Sequence, residues 1–190
     1  MNEITFLTYP RSGKHWLNWN LDKTIKDLKI NYAHLWNDVT EPSYLNILNK
    51  KIVTVVRNPY DCLASIVAME FLGSLDRRVK DYIDHYEFFI EKAEMFFKYE
   101  DINKIEEISN IIVKNFGGSR FLSTSDYGGY EEYKSWYTHT QHPRKFITST
   151  DQQEYSEAKK IVDNFVKNNK PLYDKLNLLY DQAFSKCEVL

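Results

Sequence analysis

Two cations, a hydroxyl and a glycine share one short segment near the start of the chain, Tyr9-Pro10-Arg11-Ser12-Gly13-Lys14-His15-Trp16. It follows an apolar run, Ile4 to Thr8, and opens an amphipathic stretch. A strand, a tight turn and a helix in that order leave bare backbone N–H groups at a helix N-terminus, a ready site for an anion. The N–H groups of Ser12, Gly13 and Lys14 and the helix dipole would act there together. A further cation, Arg57, ends the run Ile52-Val53-Thr54-Val55-Val56. Ser65 follows it by eight residues, about two helical turns, so its hydroxyl comes round to the side of the guanidinium. A guanidinium fork binds two oxygens of a terminal phosphate. His34 ends another short run, and an imidazole with a pKa near ~6.5 can take a proton from an attacking hydroxyl. Each residue also has a plain structural alternative. Arg57 could close a strand-end salt bridge, Ser65 could bond its own helix backbone, and His34 could be satisfied at a sheet edge.

The elements that must place these residues are legible in outline. Ile4–Thr8 reads as a buried strand, Lys14–Lys29 as a helix, and Ile30–His34 as a short strand. Pro42–Asn49 suggests one or two helical turns. Ile52–Val56 is the clearest strand, β-branched throughout. Pro59 suits a first helical position, with a helix expected to about Leu72 and a stop at Gly73. Leu75–Glu91 reads as a long amphipathic helix, Met95–Tyr99 as a strand, and Ile105–Asn115 as a helix ended by Phe116-Gly117-Gly118. Ser119–Thr150 reads as irregular and Tyr-rich, and Glu154 to about Tyr180 as helical with a break at Pro171. Strands alternating with helices predict an α/β fold with a parallel sheet. In such sheets ligands sit beyond the carboxyl ends of the strands. The turn 9–13, His34, Arg57 and Tyr99 all fall at such ends.

The 190 residues fit one domain, 1–190, with a real core. A net charge of −2 gives no general nucleic-acid surface, so any basic site is local. Aromatic content of 15%, with 14 Tyr and 11 Phe, predicts a ring-heavy core. Cys62 and Cys187 have neither metal-ligand spacing nor a disulfide framework, and no residue set calls for a metal. No apolar run reaches the ~18 residues of a membrane span, and no signal peptide is visible. A cytoplasmic protein without membrane contact is the expectation.

Which anion the turn takes is a matter of its detail. In the Walker A pattern G-x-x-x-x-G-K-[ST], Gly13-Lys14 matches, but Thr8 stands at the first glycine and His15 at the Mg²⁺-holding hydroxyl. No strand ending in Asp stands out as a partner, since Val56 is followed by Arg57. Thr8-Tyr9-Pro10-Arg11-Ser12-Gly13 with Trp16 instead resembles the 5′-phosphosulfate loop of the sulfotransferases, T-Y-P-K-S-G-T-T-W. Arg57-Asn58-Pro59-Tyr60-Asp61-Cys62-Leu63-Ala64-Ser65 is similar to that family's 3′-phosphate motif, R-N-P-x-D-x-x-x-S. Tyr99-Glu100-Asp101-Ile102, with Phe116-Gly117 downstream, is similar to its Y-E-D-[ML] strand end and following helix. The three motifs keep the family's order and cover about Ile4 to Gly118.

The resemblance implies a compact three-layer α/β sandwich with a P-loop-like turn. It implies a donor, 3′-phosphoadenosine 5′-phosphosulfate (PAPS), whose product is 3′-phosphoadenosine 5′-phosphate (PAP), and no metal. Arg57 and Ser65 would hold the 3′-phosphate, and Trp16 and Tyr99 would contact the adenine. Arg11 stands where the family has a lysine against the departing 5′-phosphate; being permanently charged, it can act there only electrostatically. Lys14-His15 replaces a hydroxyl pair: Lys14 could compensate with charge, and His15 either contacts phosphate or packs. Tyr32-Ala33-His34-Leu35 resembles the T-H-L-P segment, which makes His34 the base. Arg144-Lys145 resembles the R-K-G clamp on the 3′-phosphate, although Phe146 replaces the glycine and no G-D-W follows. The acceptor would be a hydroxyl or amine on a small molecule, carbohydrate or peptide. Its pocket would be open or completed by a second subunit, as in a homodimer. A P-loop kinase, or a non-catalytic nucleotide-binding module on the same fold, is the alternative.

Overall fold

The computed structural model describes residues 2–9, 11–34, 50–68, 74–121, 130–140 and 152–190, excepting the side chains of His34, Tyr130, Thr138, His139, Thr140 and Gln152. The strands are β1 Asn2–Thr8, β2 Ile25–Lys26, β3 Leu28–His34, β4 Lys51–Val56, β5 Met95–Lys98 and β6 Ser119–Arg120. The helices are α1 Lys14–Thr24, α2 Pro59–Ala68, α3 Leu75–Lys92, α4 Ile105–Phe116, α5 Tyr130–Thr140, α6 Gln152–Asn168 and α7 Lys170–Ser185. Four strands form a parallel sheet in the order β3-β1-β4-β5, and β2 pairs antiparallel with β6. The expected α/β fold with a central parallel sheet is therefore the one the chain adopts.

Strand alternation divides the core between two faces. Ile4 and Phe6 of β1, Val53 and Val55 of β4, and Met95 and Phe97 of β5 pack with Leu17 and Leu21 of α1 and Ile108 and Ile112 of α4. Leu7, Ile52, Val56 and Phe96 point the other way, onto α2, α3, α6 and α7. Helices thus cover both faces, which is why the buried strands read as nearly continuous apolar runs. From β1 the chain moves outward to β3, then crosses back to place β4 on the other side of β1. The order therefore reverses between β1 and β4, and a crevice opens at their carboxyl ends. No helix among the described residues is long and apolar enough to cross a membrane.

Three boundaries differ from expectation, the first two for a long-range reason. Helix α1 stops at Thr24 rather than Lys29. The Thr24 hydroxyl lies near the Asn20 and Leu21 carbonyls at 3.1 and 3.3 Å and meets Ser109 Oγ at 3.1 Å, while Ile25 turns extended to pair with Arg120. Strand β3 begins at Leu28 rather than Ile30, because β1 pairs with it from Asn2↔Leu28 to Thr8↔His34. The segment expected to be irregular, Ser119–Thr150, holds β6 and α5. The expected break near Pro171 is present: the last helical stretch is two helices, with Pro171 in the first turn of α7, where its missing N–H costs nothing. The expected turns at Pro42–Asn49 and helix end at Leu72 and Gly73 lie outside the described residues.

Candidate functional site

The turn after β1 is built on left-handed backbone. Arg11 has φ 70° and Gly13 φ 80°. Ser12 N–H closes the turn on the Tyr9 carbonyl at 3.2 Å, and Ser12, fully buried, sets its hydroxyl 3.7 Å from Cys62 Sγ. Glycine is required at 13 on two counts. The left-handed conformation disfavours a side chain, and a Cβ there would stand 2.8 Å from Ile102 Cδ1 and 3.4 Å from the Tyr99 ring. Below the turn, Tyr9 is anchored by its hydroxyl to the Arg78 carbonyl at 2.9 Å and packs edge-on against Tyr82 and His85. His85 is 2% exposed and belongs to this ring cluster.

Helix α1 begins at this turn with no side-chain cap and no acidic residue in its first turn. Its opening N–H groups and positive dipole end are thus without a capping side chain or a carboxylate of their own. Lys14 is the first helical residue. It is half-buried, burial lowers its pKa, and its ammonium meets no hydrogen-bond or ion-pair partner among the described residues.

Across the crevice, Asn58-Pro59-Tyr60-Asp61 starts α2 by helix-capping rules. The Asn58 carbonyl accepts from Cys62 N–H at 3.1 Å and its side-chain oxygen from Tyr60 N–H at 2.9 Å. Pro59 takes the first helical position, where no N–H is needed. Asp61, in the first turn, is tied to α6 by Tyr155 (2.8 Å) and Lys159 (3.2 Å). This start fixes the direction in which Ser65 points.

Arg57 leaves β4 with its backbone held on both sides. Its N–H donates to Tyr86 at 3.2 Å, and its carbonyl accepts from Tyr82 at 2.9 Å. The guanidinium lies 4.0 Å from the centroid of the Tyr99 ring, and one terminal nitrogen donates to the Arg11 carbonyl. Among the described residues no carboxylate comes within ion-pair distance, and buried Nε finds no acceptor. The salt-bridge alternative for Arg57 is therefore not the arrangement seen. Arg11 Nε donates to Ser65 Oγ at 2.9 Å, so Ser65 faces the crevice rather than bonding its own helix. Burial first, and the nearby Arg57 charge, push the Arg11 pKa down, while the Tyr137 and Tyr99 hydroxyls oppose this.

Arg11, Ser12, Gly13, Lys14, Arg57, Ser65 and Tyr99 thus converge at the switch point. Trp16 borders them, with Nε1 donating to the Ile102 carbonyl at 3.3 Å and its ring edge-on to Tyr133 at 5.0 Å. His15 turns toward α5, where its ring meets Tyr137 edge-on at 5.1 Å. His34 ends β3 directly beside Thr8, one strand from the turn; its side chain lies outside the described residues. So do Arg144 and Lys145. Sequence reasoning missed the pair Tyr82 and Tyr86, stacked at 4.2 Å, that fixes the Arg57 backbone. It also missed Tyr137, whose ring packs edge-on against His15 beside the turn. The spacing of Tyr82 and Tyr86 on one helix face was a usable signal; nothing local marks Tyr137.

No family model matches the chain, and no curated protein matches it. Among solved structures, mouse sulfotransferase SULT7A1 complexed with PAP is similar to it, at 16% identity with a TM-score of 0.40. The match covers 70% of this chain and 62% of that one, so it spans less than two thirds of the neighbour's length.

Proposed function

We propose that the chain is a PAPS-dependent sulfotransferase that moves a sulfuryl group to a hydroxyl or amine of a small-molecule, carbohydrate or peptide acceptor. One observation carries the reading. Arg57, a half-buried cation whose buried Nε finds no acceptor and with no carboxylate in reach among the described residues, stands over an aromatic ring beside Arg11 and Ser65, across the switch point from an uncapped helix start. Such a pair of cationic stations fits a ligand with two separated phosphate groups. The ring of Tyr99 and the edge of Trp16 flank the space between with aromatic surface, as an adenine needs. When bound, PAPS supplies a sulfuryl group activated by its bond to phosphate.

The residues have distinct tasks in this reading. Arg57 and Ser65 hold the 3′-phosphate. The backbone N–H groups of Gly13 and Lys14, with the Lys14 ammonium and Arg11, hold the 5′ end and stabilise the negative charge that the phosphate gains as the bridging S–O bond breaks; the Ser12 N–H expected to join them is instead given to the Tyr9 carbonyl. His34 takes the acceptor's proton as its oxygen or nitrogen bonds to sulfur. His15 packs on Tyr137 at the flank. Arg144 and Lys145 are proposed as an added clamp on the 3′-phosphate.

Calorimetric titration with PAP and with ATP, each with and without Mg²⁺, tests the reading. Binding of PAP that is independent of Mg²⁺ and far tighter than that of ATP is the expected result. Mg²⁺-dependent preference for ATP would instead select a kinase. Turnover of PAPS with a panel of acceptors then separates an enzyme from a binding module.

A further inference from the structure

Helix α3 reaches both ends of the candidate site along one face. Arg78, Tyr82 and Tyr86 recur at every fourth residue, so they line one side of the helix over about 12 Å. At the first, the Arg78 carbonyl accepts from the Tyr9 hydroxyl at 2.9 Å, and the Tyr9 carbonyl in turn accepts the Ser12 N–H that closes the turn. At the other two, the Tyr82 hydroxyl donates to the Arg57 carbonyl at 2.9 Å, and the Tyr86 hydroxyl accepts from the Arg57 N–H at 3.2 Å. The rings of Tyr82 and Tyr86 stack at 4.2 Å, Tyr9 meets Tyr82 edge-on at 4.7 Å, and all three residues are buried. Burial raises the pKa of both α3 phenols, so each stays protonated at neutral pH. A ring that merely filled the core would have no use for its oxygen, and a buried phenol without a partner is destabilising. Both α3 oxygens instead bond the main chain of the residue that carries the second cationic station.

We propose that Tyr82 and Tyr86 are positioning residues: their hydroxyls fix residue 57 to the helix that also holds Tyr9, and so set the distance between the Arg57 guanidinium and the turn. The site then favours a ligand with two anionic groups at one separation over a ligand with a single one. The identity of that ligand rests on the sulfotransferase reading above; the hold on Arg57 does not. The guanidinium has contacts of its own, with the Tyr99 ring at 4.0 Å and the Arg11 carbonyl. Neither fixes the main chain from which the side chain starts. Loss of either phenol oxygen leaves a main-chain group of residue 57 without its partner, and the strand end shifts to satisfy it. A cation already in place before the ligand arrives loses less freedom on binding, which is how preorganisation raises affinity.

Tyr82→Phe and Tyr86→Phe keep the stacked rings and remove one oxygen each. Calorimetry measures the affinity of the wild type and of both variants, alone and combined with Arg57→Ala, for PAP and for adenosine 5′-phosphate, which lacks the 3′-phosphate. In parallel, the rate at which phenylglyoxal modifies Arg57 is read by peptide mass spectrometry. The internal reference is Arg120, half-buried beside α4 on the other face of the sheet, where its guanidinium donates to Glu106 at 3.0 Å. In each variant PAP should bind about fivefold more weakly, the worth of one hydrogen bond, and adenosine 5′-phosphate within about twofold of the wild type. The PAP loss should vanish in the Arg57→Ala background, and Arg57 labelling should rise severalfold relative to Arg120. A purely structural role would weaken both nucleotides alike and would persist without the guanidinium. Either result, or unchanged PAP affinity in folded variants, overturns the proposal. Should one variant not fold, the other carries the test. If the wild type binds neither nucleotide, the sulfotransferase reading falls by itself and labelling decides: faster modification of Arg57 relative to Arg120 upholds the positioning role, and an unchanged ratio overturns it.

Discussion

Replacing Arg57 by alanine separates binding from folding, and the structure sets the expected sizes. The main-chain N–H and carbonyl of residue 57 keep their bonds to Tyr86 and Tyr82, because both are backbone contacts. The folded protein loses the side-chain bond to the Arg11 carbonyl, worth about 1 kcal/mol net, and the stacking over Tyr99, worth about 0.5–1 kcal/mol. Against these losses, removal of a buried donor that has no acceptor relieves about 1 kcal/mol or more. Stability in the absence of nucleotide should therefore fall by no more than about 1 kcal/mol. Binding has no such compensation. A guanidinium that grips phosphate makes charge-assisted bonds of about 1.5–3 kcal/mol each. Even one pair of them lost at about 3 kcal/mol together weakens PAP roughly 150-fold. Calorimetry with PAP gives the affinity, and urea denaturation without nucleotide gives the stability. A folded Arg57→Ala variant that binds PAP within about threefold of the wild type would show that this guanidinium is structural and would refute the reasoning.

Other perturbations probe different parts of the chain. Gly13→Ala forces a side chain into left-handed backbone at φ 80° and should cost about 1–2 kcal/mol, seen as a lower melting temperature, with PAP binding impaired as the turn shifts. The nearest atom, Ile102 Cδ1, is the end of a flexible side chain, so an unchanged melting temperature would mean that the turn tolerates another conformation. His34→Ala should abolish turnover while leaving PAP affinity intact; a variant that keeps most of its rate removes His34 as the base. Glu3 accepts hydrogen bonds from Asn31 at 2.8 Å and Lys50 at 2.9 Å and pairs with Lys29 at 3.0 Å, which lowers its pKa from 4.5 to about 2. A carboxyl with a depressed folded pKa stabilises the fold fully above its unfolded value and loses that contribution as pH falls toward the folded one. Glu3→Gln should therefore destabilise the protein at neutral pH, and the difference from the wild type should shrink between about pH 4.5 and 2 in denaturation curves.

Local chemistry accounts for much of what could be read before any coordinates. The β-branched run 52–56 can hardly be anything but a buried strand, and Asn58-Pro59 with Asp61 carries the cap, the first helical position and the dipole partner of α2 within four residues. Gly13 before Lys14 announces a turn that enters a helix. What local chemistry could not reveal is where competing partners win. Thr24 and Ile25 are acceptable helix residues, yet α1 ends there because Arg120 and Ser109, almost a hundred residues on, offer a strand partner and a buried hydroxyl. Segment 130–140 has weak periodicity in sequence, and its rings find partners in His15, Trp16 and Trp19 on α1.

By itself, the order of residues determined the kinds of group present and the places where the chain must turn: two guanidinium groups, an ammonium, a hydroxyl and an imidazole, each at the end of a strand or the start of a helix. Tertiary structure alone decided which of them meet. Placing β4 beside β1 rather than outside β3 sets Arg57 over the turn, and packing α5 on α1 carries Tyr137 to His15. The physical reason is that hydrogen bonds and charges act over a few ångströms, whereas the residues that share them at this turn lie 46 and 54 positions apart along the chain.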